Sequence, residues 1–148
     1  MIRKIILAII LSLVSFGSMT NSQIPKPETR NEMIKRIAGD KYSIVCAIIQ
    51  VESGWNANAI SSTGDYGLMQ INKKTWQNHF DWNRILEPEY NVNAGIKILN
   101  MCLEARNNDT RKALIYYNGS SSYPDKVFKQ MELLNEETNK SGISGISY

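Results

Sequence analysis

The sequence from Ser43 to Trp55 reads SIVCAIIQVESGW, and a polar loop then leads to GDYGLMQIN at residues 64–72. The first stretch is apolar on nearly every side of a helix, which is typical of a helix buried at the centre of a domain. Glu52 is its one acidic residue and lies one turn beyond Ile48 and Ile49 on the same face. Because an ionised carboxylate is costly to bury, a carboxyl group there needs a physical explanation.

Gly54 is expected to end this helix, which places Glu52 at the negative end of the helix dipole. The dipole and the poor solvation both favour the protonated carboxyl group and therefore raise its pKa. A general acid that works near neutral pH requires such a raised pKa. Taken alone, a surface glutamate at a helix end is the simpler interpretation, but the sequence downstream favours an active-site acid.

The first 18 residues have the pattern of a secretory signal peptide. Arg3 and Lys4 precede an apolar run over residues 5–11, and small residues follow near Gly17. We therefore expect an exported protein that works in the periplasm or outside the cell. Because the run is shorter than the roughly 20 residues of a membrane-spanning helix, cleavage is favoured. An uncleaved membrane anchor is the alternative.

The mature chain is predicted to be nearly neutral. Removal of Arg3 and Lys4 leaves 15 of the 17 basic residues against 14 acidic ones, a net charge of +1. No basic run is interleaved with aromatic residues, so we expect no nucleic-acid partner. His79 and the distant Cys46 and Cys102 form no ligand cluster, and we expect neither a metal nor a cofactor. The two cysteines form either a disulfide, in an oxidising compartment, or two buried free thiols.

The remaining sequence predicts a mainly α domain, α+β at most. We assign residues 19–31 to a linker, 32–135 to one compact helical domain with a cleft, and 136–148 to a disordered polar tail. Apolar residues recur at helical spacing most clearly over 90–106. No convincing alternating strand pattern occurs, and any β structure is expected as a small element within 54–72.

Three predictions concern the ends and crossings of helices. Ser43 is placed to cap the buried helix. Asn91, at the start of the long helix, is interpreted as a cap. Gly95 in the same helix is interpreted as the point of a close helix contact, because a glycine within a helix costs about 1 kcal/mol relative to alanine and needs a packing reason.

Four motifs follow one another in a characteristic order: Glu-Ser at a helix end, GLMQ at 67–70, N-x-x-A-G at 91–95 and YNG at 117–119. In this order and spacing they resemble the catalytic domain of soluble lytic transglycosylases, a family similar in fold to goose-type lysozyme. The resemblance covers about residues 32–134. The combination is specific, whereas GLMQ or YNG alone would be a weak signal. The short, exported single domain is most similar to members that accompany secretion, pilus and conjugation machines.

The resemblance implies a role for each matching residue. Glu52 corresponds to the sole catalytic acid, and Ser53 to a serine that helps to hold the substrate. Tyr117 and Asn118 correspond to a tyrosine and an asparagine near the acid, and we expect the Tyr117 hydroxyl to orient Glu52. The loop residues that the resemblance places along the sugar cleft are Gly67, Leu68, Met69 and Gln70.

The implied reaction cleaves peptidoglycan between N-acetylmuramic acid and N-acetylglucosamine. Most glycosidases use two carboxyl groups, but substrate-assisted chemistry dispenses with the second. Glu52 would protonate the linking oxygen and then, as a carboxylate, accept the proton of the C6 hydroxyl, which closes a 1,6-anhydro ring. The partners implied are glycan strands and proteins of a secretion, pilus or conjugation apparatus, and we expect a monomer.

The sequence also allows two other functions. A hydrolytic muramidase would cleave the same bond with water and would need a second carboxylate, for which Asp65 is the candidate. A non-catalytic wall-binding or assembly subunit would have no need of an acid at Glu52.

Overall fold

The computed structural model describes residues 26–140 of the chain, which form a mainly helical domain around one buried helix. Residues 39–41 form a short 3-10 helix. In this part of the chain the elements are α1 (Arg30–Ala38), α2 (Tyr42–Ser53), β1 (Asp65–Tyr66), β2 (Ile71–Asn72), α3 (Lys73–Trp76), α4 (Pro88–Glu104), α5 (Thr110–Asn118) and α6 (Tyr123–Lys140). The predicted mainly α class, with a small β element between 54 and 72, is confirmed.

The central helix is α2, which packs mainly against α6 and also against α1. Its middle, from Val45 to Ile49, is buried on all sides, as the apolar sequence predicts. Gly54 ends it in the left-handed conformation, with φ of 55°. The predicted cap at Ser43 is wrong, because the helix begins at Tyr42 with Lys41 at the cap position, and the Ser43 hydroxyl is buried without a partner in the described chain.

The two strands form an antiparallel hairpin in which Asp65 pairs with Asn72 and Tyr66 with Ile71. Residues 67–70, the GLMQ segment, make the turn between them. Gly67 has a φ of 77°, a left-handed conformation that glycine adopts without strain. The turn is therefore pinned against the core rather than open to solvent, since residues 67–69 are all buried.

The long helix α4 holds this turn in place through Asn91 and Gly95. A Cβ atom on Gly95 would lie 2.3 Å from the sulfur of Met69, so only glycine allows the turn to approach the helix. The predicted close contact at Gly95 is present, but its partner is the hairpin turn and not a second helix. Asn91 is not a helix cap: its Nδ2 donates to the carbonyls of Tyr66 and Ile85, and its Oδ1 accepts from the Met69 amide at 2.9 Å.

The helical domain extends beyond the predicted boundaries at both ends. Residues 30–31, assigned to a linker, form the first turn of α1, because Thr29 and Glu32 make a reciprocal capping box. Residues 136–140, assigned to a disordered tail, continue α6, where Thr138 donates to the Leu134 carbonyl. The predicted signal peptide at 1–18, and the predicted linker and tail at 19–25 and 141–148, lie outside the described residues.

Both cysteines are buried free thiols, which is the second of the two predicted alternatives and not the disulfide. Cys46 lies on α2, and Cys102 lies on α4. Within residues 26–140, no helix is both long and apolar enough to cross a membrane.

Candidate active site

An open cleft of about 820 Å³ runs between the hairpin with α3 on one side and α4 with α5 on the other. It falls within the roughly 300–1,000 Å³ that small-molecule sites occupy. The end of α2 contributes Glu52. The other lining residues are Thr63, Asp65, Gln70, Ile71, Asn72, Thr75, Trp76, Ile98, Met101, Cys102, Ala105, Tyr116, Tyr117, Asn118 and Gly119.

Glu52 is the one glutamate of this lining and lies where α2 stops. Asn118, the last residue of α5, donates a hydrogen bond of 3.2 Å from Nδ2 to Glu52 Oε1. Gly119 follows in the left-handed conformation and ends α5 there. Two helix C-termini therefore meet at this carboxyl group, and the negative ends of both dipoles disfavour its ionised form.

Tyr123, at the start of α6, is a second neighbour of the carboxyl group. Its side chain is only 3% exposed, and its hydroxyl makes no well-formed hydrogen bond within the described chain. That hydroxyl nevertheless lies close enough to Glu52 to lower the pKa of the carboxyl group. An unsatisfied buried donor next to a carboxyl is placed to stabilise the carboxylate when the proton leaves.

The net effect of these surroundings is a raised pKa for Glu52. Burial has the largest influence and raises it. The Tyr123 hydroxyl and the Asn118 amide oppose this, and the negative charge of Asp65 raises the pKa again. The Glu52 carboxyl group thus holds its proton to higher pH than an ordinary glutamate does. Hydrogen-bond donors are also in place for its ionised form.

The structure corrects the role predicted for Tyr117. This tyrosine lies in the cleft lining, and burial raises the pKa of its hydroxyl, with the nearby charge of Glu52 adding to the effect. Its hydroxyl, however, donates to the Met69 carbonyl at 2.9 Å and not to Glu52. The ring stacks on that of Tyr123, with centroids 6.4 Å apart. Tyr117 therefore fastens the GLMQ turn to α5, and Asn118 and Tyr123 are the residues that touch the acid.

Of the other predicted site residues, the structure brings Gln70 and Asn118 to the cleft with Glu52. Gln70 is held with φ of 48°, and its Nε2 donates to the carbonyls of Gly67 at 2.9 Å and Ala59 at 3.2 Å. These two hydrogen bonds fix the Gln70 side chain. Its Oε1 accepts no hydrogen bond from the described part of the chain. Sugar contacts for both residues stay predictions.

Four predicted site residues do not line the cleft. Leu68 and Met69 have side chains with no exposed surface and belong to the core. A Cβ atom on Gly67 would meet the Asn91 side chain at 2.3 Å. The Ser53 hydroxyl bonds back to the Ile49 carbonyl at 3.1 Å. The three turn residues shape the cleft wall from behind, because in a tight hairpin turn packed on a helix only some side chains face outward, whereas Ser53 is bonded back along α2.

Asp65 brings a second carboxylate to the same cleft. Partial burial alone would raise its pKa, but hydrogen bonds from Ser61, Thr63 and Asn72 outweigh it and hold the pKa below the ordinary value. Ser61 Oγ lies 2.6 Å from Oδ2, and Asn72 Nδ2 lies 2.8 Å from Oδ1. The cleft therefore contains one carboxyl group that favours its proton and one that favours its charge.

The sequence prediction missed several residues of this site. Tyr123 follows a run of serines and precedes a proline, and a tyrosine at the start of an amphipathic helix was the available signal. Tyr116, which is more than half exposed, and Met101, which is about half exposed, lie on the cleft wall, where side chains of α5 and α4 face each other.

Among residues 26–140, no group of three or more His, Cys, Asp or Glu side chains is arranged to hold a metal ion.

Comparison with known proteins agrees with this geometry. The sequence profile described as the transglycosylase SLT domain matches residues 31–139. Among solved structures, the chain is similar to the 70-kDa soluble lytic transglycosylase in its complex with bulgecin A, with a TM-score of 0.56 and 25% sequence identity. The match covers 72% of this chain and 19% of that one, so the chain spans about a fifth of its length. By its sequence profile and its lysozyme-like helical fold, the chain belongs to the transglycosylase SLT domain family.

Proposed function

We propose that this protein is a lytic transglycosylase that cleaves the glycan strands of peptidoglycan between N-acetylmuramic acid and N-acetylglucosamine. The observation that carries the proposal is the Glu52 carboxyl group, which has a raised pKa and faces an open cleft in a member of this family. A protonated carboxyl group at the wall of a cleft of about 820 Å³ is suited to donate a proton to a glycosidic oxygen.

Glu52 would act twice in one turnover. As an acid it protonates the oxygen between the two sugars, and the acetamido oxygen of the muramic acid stabilises the cationic carbon that forms. As a carboxylate it then accepts the proton of the C6 hydroxyl of the same sugar, whose oxygen bonds to that carbon. The products are a 1,6-anhydromuramic end and a free N-acetylglucosamine hydroxyl, and no water is consumed.

The neighbours of Glu52 support both stages of this cycle. Burial raises the pKa of Glu52 and so favours the protonated carboxyl group before reaction. Asn118, and Tyr123 beside it, offer donors to the carboxylate that appears after the first proton transfer. Because the same carboxyl group serves first as an acid and then as a base, its pKa needs to lie near the working pH.

Digestion of purified peptidoglycan with mass spectrometry of the products tests the proposal. We expect anhydro ends, which are one water lighter than reducing ends. Glu52→Gln should abolish the release of fragments while the protein stays folded, with exposed Glu132→Gln on α6 as the matched control. Unchanged digestion by Glu52→Gln would remove this residue from the mechanism, and no digestion by the native chain would favour a wall-binding subunit instead.

A hydrolytic muramidase is the second candidate, and the position of Asp65 favours it. Asp65 is held ionised in the same cleft and is close enough to Glu52 to influence its pKa. An ionised carboxylate opposite a protonated one is the arrangement that hydrolytic glycosidases use. Reducing ends in place of anhydro ends, lost in Asp65→Asn, would establish this reaction.

We further infer that the protein is exported and opens the wall locally for a secretion, pilus or conjugation apparatus. The charged and apolar pattern of residues 1–18 supports export, and the small size of the domain suits a locally acting enzyme. N-terminal sequencing of the mature protein tests cleavage of the signal. Recovery of the full-length chain in the membrane fraction would instead establish the anchor alternative.

A further inference from the structure

Tyr116 forms a wall between the cleft and a second, shallow pocket. The ring is 57% exposed, although large aromatic side chains are commonly packed away. It lines the cleft together with Glu52, and on its other side it lines a pocket of about 180 Å³ with Arg106, Lys112 and Ile115. We call this second depression the Arg106 pocket. A strand bound in the cleft would therefore lie against a ring whose far side carries basic groups.

Arg106 is held over the Tyr116 ring, with its guanidinium carbon 4.1 Å from the ring centroid. One of its nitrogens donates to the Ala105 carbonyl at 3.2 Å. Within the described residues no carboxylate lies within ion-pair distance of it. By contrast Arg36, Arg84 and Arg111 each pair with an acidic side chain. Arg106 is thus oriented by stacking and keeps its remaining donors unused by acidic groups of the described chain.

The Arg106 pocket is positively charged overall. Lys112 also lines it, and its ammonium group pairs with Asp109 at 3.0 Å. Two cations and one anion leave an excess of one positive charge beside the cleft. A guanidinium group with free donors is well shaped for a carboxylate, which it can bind through two parallel hydrogen bonds.

We propose that Arg106 and Tyr116 form an accessory subsite that binds a carboxylate of the peptide stems attached to the glycan strand. This deepens the proposed function and rests on it. A strand in the cleft carries its peptides on the muramic acid residues, and these peptides bear the negative charges of the polymer beyond the sugars. The enzyme would therefore favour strands with charged stems over strands with neutral ones.

The test compares two sets of glycan strands of equal length. One carries stem peptides with free carboxylates, and in the other these carboxylates are converted to amides, which nearly preserves size and removes charge. Arg106→Gln is compared with Arg111→Gln, because Arg111 also stacks on a ring, that of Phe128, but pairs with Asp125 and does not line the cleft. Arg106→Lys serves as the conservative variant.

We expect the native chain to prefer the carboxylate strands. Arg106→Gln should lower kcat/KM on them by about fivefold, with a smaller effect on the amidated strands. Arg106→Lys should restore part of the loss, and added salt should reduce the preference. Arg111→Gln should retain it.

The outcomes separate this inference from the function on which it rests. Cleavage of both sets without preference by the native chain would overturn the subsite and leave the proposed function intact. An equal loss on both sets in Arg106→Gln would also overturn it, because Arg106 would then only support the Tyr116 ring. If the native chain cleaved neither set, the proposed function would fail and the subsite with it.

Discussion

Asn118 Nδ2 lies 3.2 Å from Glu52 Oε1, and this hydrogen bond joins the ends of two helices that are 66 residues apart in sequence. Both helices end in a glycine with left-handed backbone, so both present their carbonyl ends near the same carboxyl group. The ends of both helices therefore disfavour a negative charge on Glu52, the residue that must carry a proton in the proposed reaction.

Glu52→Gln is expected to make the protein more stable near neutral pH. The pKa of Glu52 is raised in the folded chain above the ordinary value of 4.5. Between those two pKa values the folded state binds more protons than the unfolded state, so stability from this group falls as pH rises. The variant should melt at a higher temperature than the native chain above this window, and the difference should shrink as pH falls toward 4.5.

Thermal melts at a series of pH values test this expectation. Exposed Glu132→Gln on α6 is the control for the loss of one carboxyl group from the chain. A constant difference between Glu52→Gln and the native chain at every pH would mean that the folded structure does not perturb this carboxyl group.

Tyr123→Phe is expected to shift the pH dependence of the reaction to higher pH. Its hydroxyl lowers the pKa of Glu52, so its removal raises that pKa, and the acid stays protonated to higher pH. The rate should also fall by about tenfold, since a hydrogen-bond donor to the carboxylate is lost. The measurement is the pH profile of kcat/KM, and the descending limb reports Glu52.

Tyr117→Phe is the matched control for that experiment. Its hydroxyl bonds to the Met69 carbonyl and not to Glu52, so the variant should lose stability without moving the descending limb. If Tyr117→Phe moved the limb and Tyr123→Phe did not, the assignment of the two tyrosines would be reversed.

Asp65→Asn should move the same limb in the opposite direction. The negative charge of Asp65 raises the pKa of Glu52, and its removal lowers that pKa. The descending limb of the transglycosylase reaction, which does not use Asp65, then shifts to lower pH. An unmoved limb would show that the two carboxyl groups do not influence each other across the cleft. Added salt should weaken the shift, because the cleft is open to solvent.

Asn91→Ala should cost about 2–4 kcal/mol of folding free energy, because it removes hydrogen bonds to three backbone groups, two of them buried. Those groups are the carbonyls of Tyr66 and Ile85 and the amide of Met69. Urea denaturation measures the loss. Asn93→Ala, an exposed change on the same helix, should have little effect, and equal losses for both would contradict the proposed anchoring of the turn.

Gly95→Ala should also destabilise the fold, although alanine favours a helix by about 1 kcal/mol. The new Cβ atom would lie 2.3 Å from the Met69 sulfur, and overpacking of this kind costs about 1–3 kcal/mol. Circular dichroism melts of this variant should show a lower midpoint than those of Asn93→Ala. A stabilised variant would mean that the turn moves freely away from α4.

Local patterns in the sequence predict the frame of this site well. The apolar run before Glu52 and the glycine after it correctly indicate a buried helix that ends in a carboxyl group. The small β element lies within 54–72, the region in which any β structure is expected. Gly95 marks a close approach, although its partner is the hairpin turn and not another helix. These features depend on periodicity, helix ends and the lack of a side chain, which are properties of short segments.

The partners of the acid could not be predicted in the same way. Tyr117 and Tyr123 are both near Glu52, but their hydroxyls reach different groups, because that depends on how α5 and α6 are placed around the end of α2. Asn91 has the sequence of a helix start, yet its amide is turned toward the hairpin by tertiary packing. Such long-range hydrogen bonds are set by the docking of whole helices, and no local pattern records them.

The contact of α6 with α2 has a consequence for how the acid is assembled. Residues 118–123 complete the surroundings of Glu52, and α6 supplies the largest packing partner of α2. The groups that set the pKa of Glu52 therefore come together only when α5 and α6 have docked, so the perturbed acid is a property of the folded domain and not of the α2 segment alone.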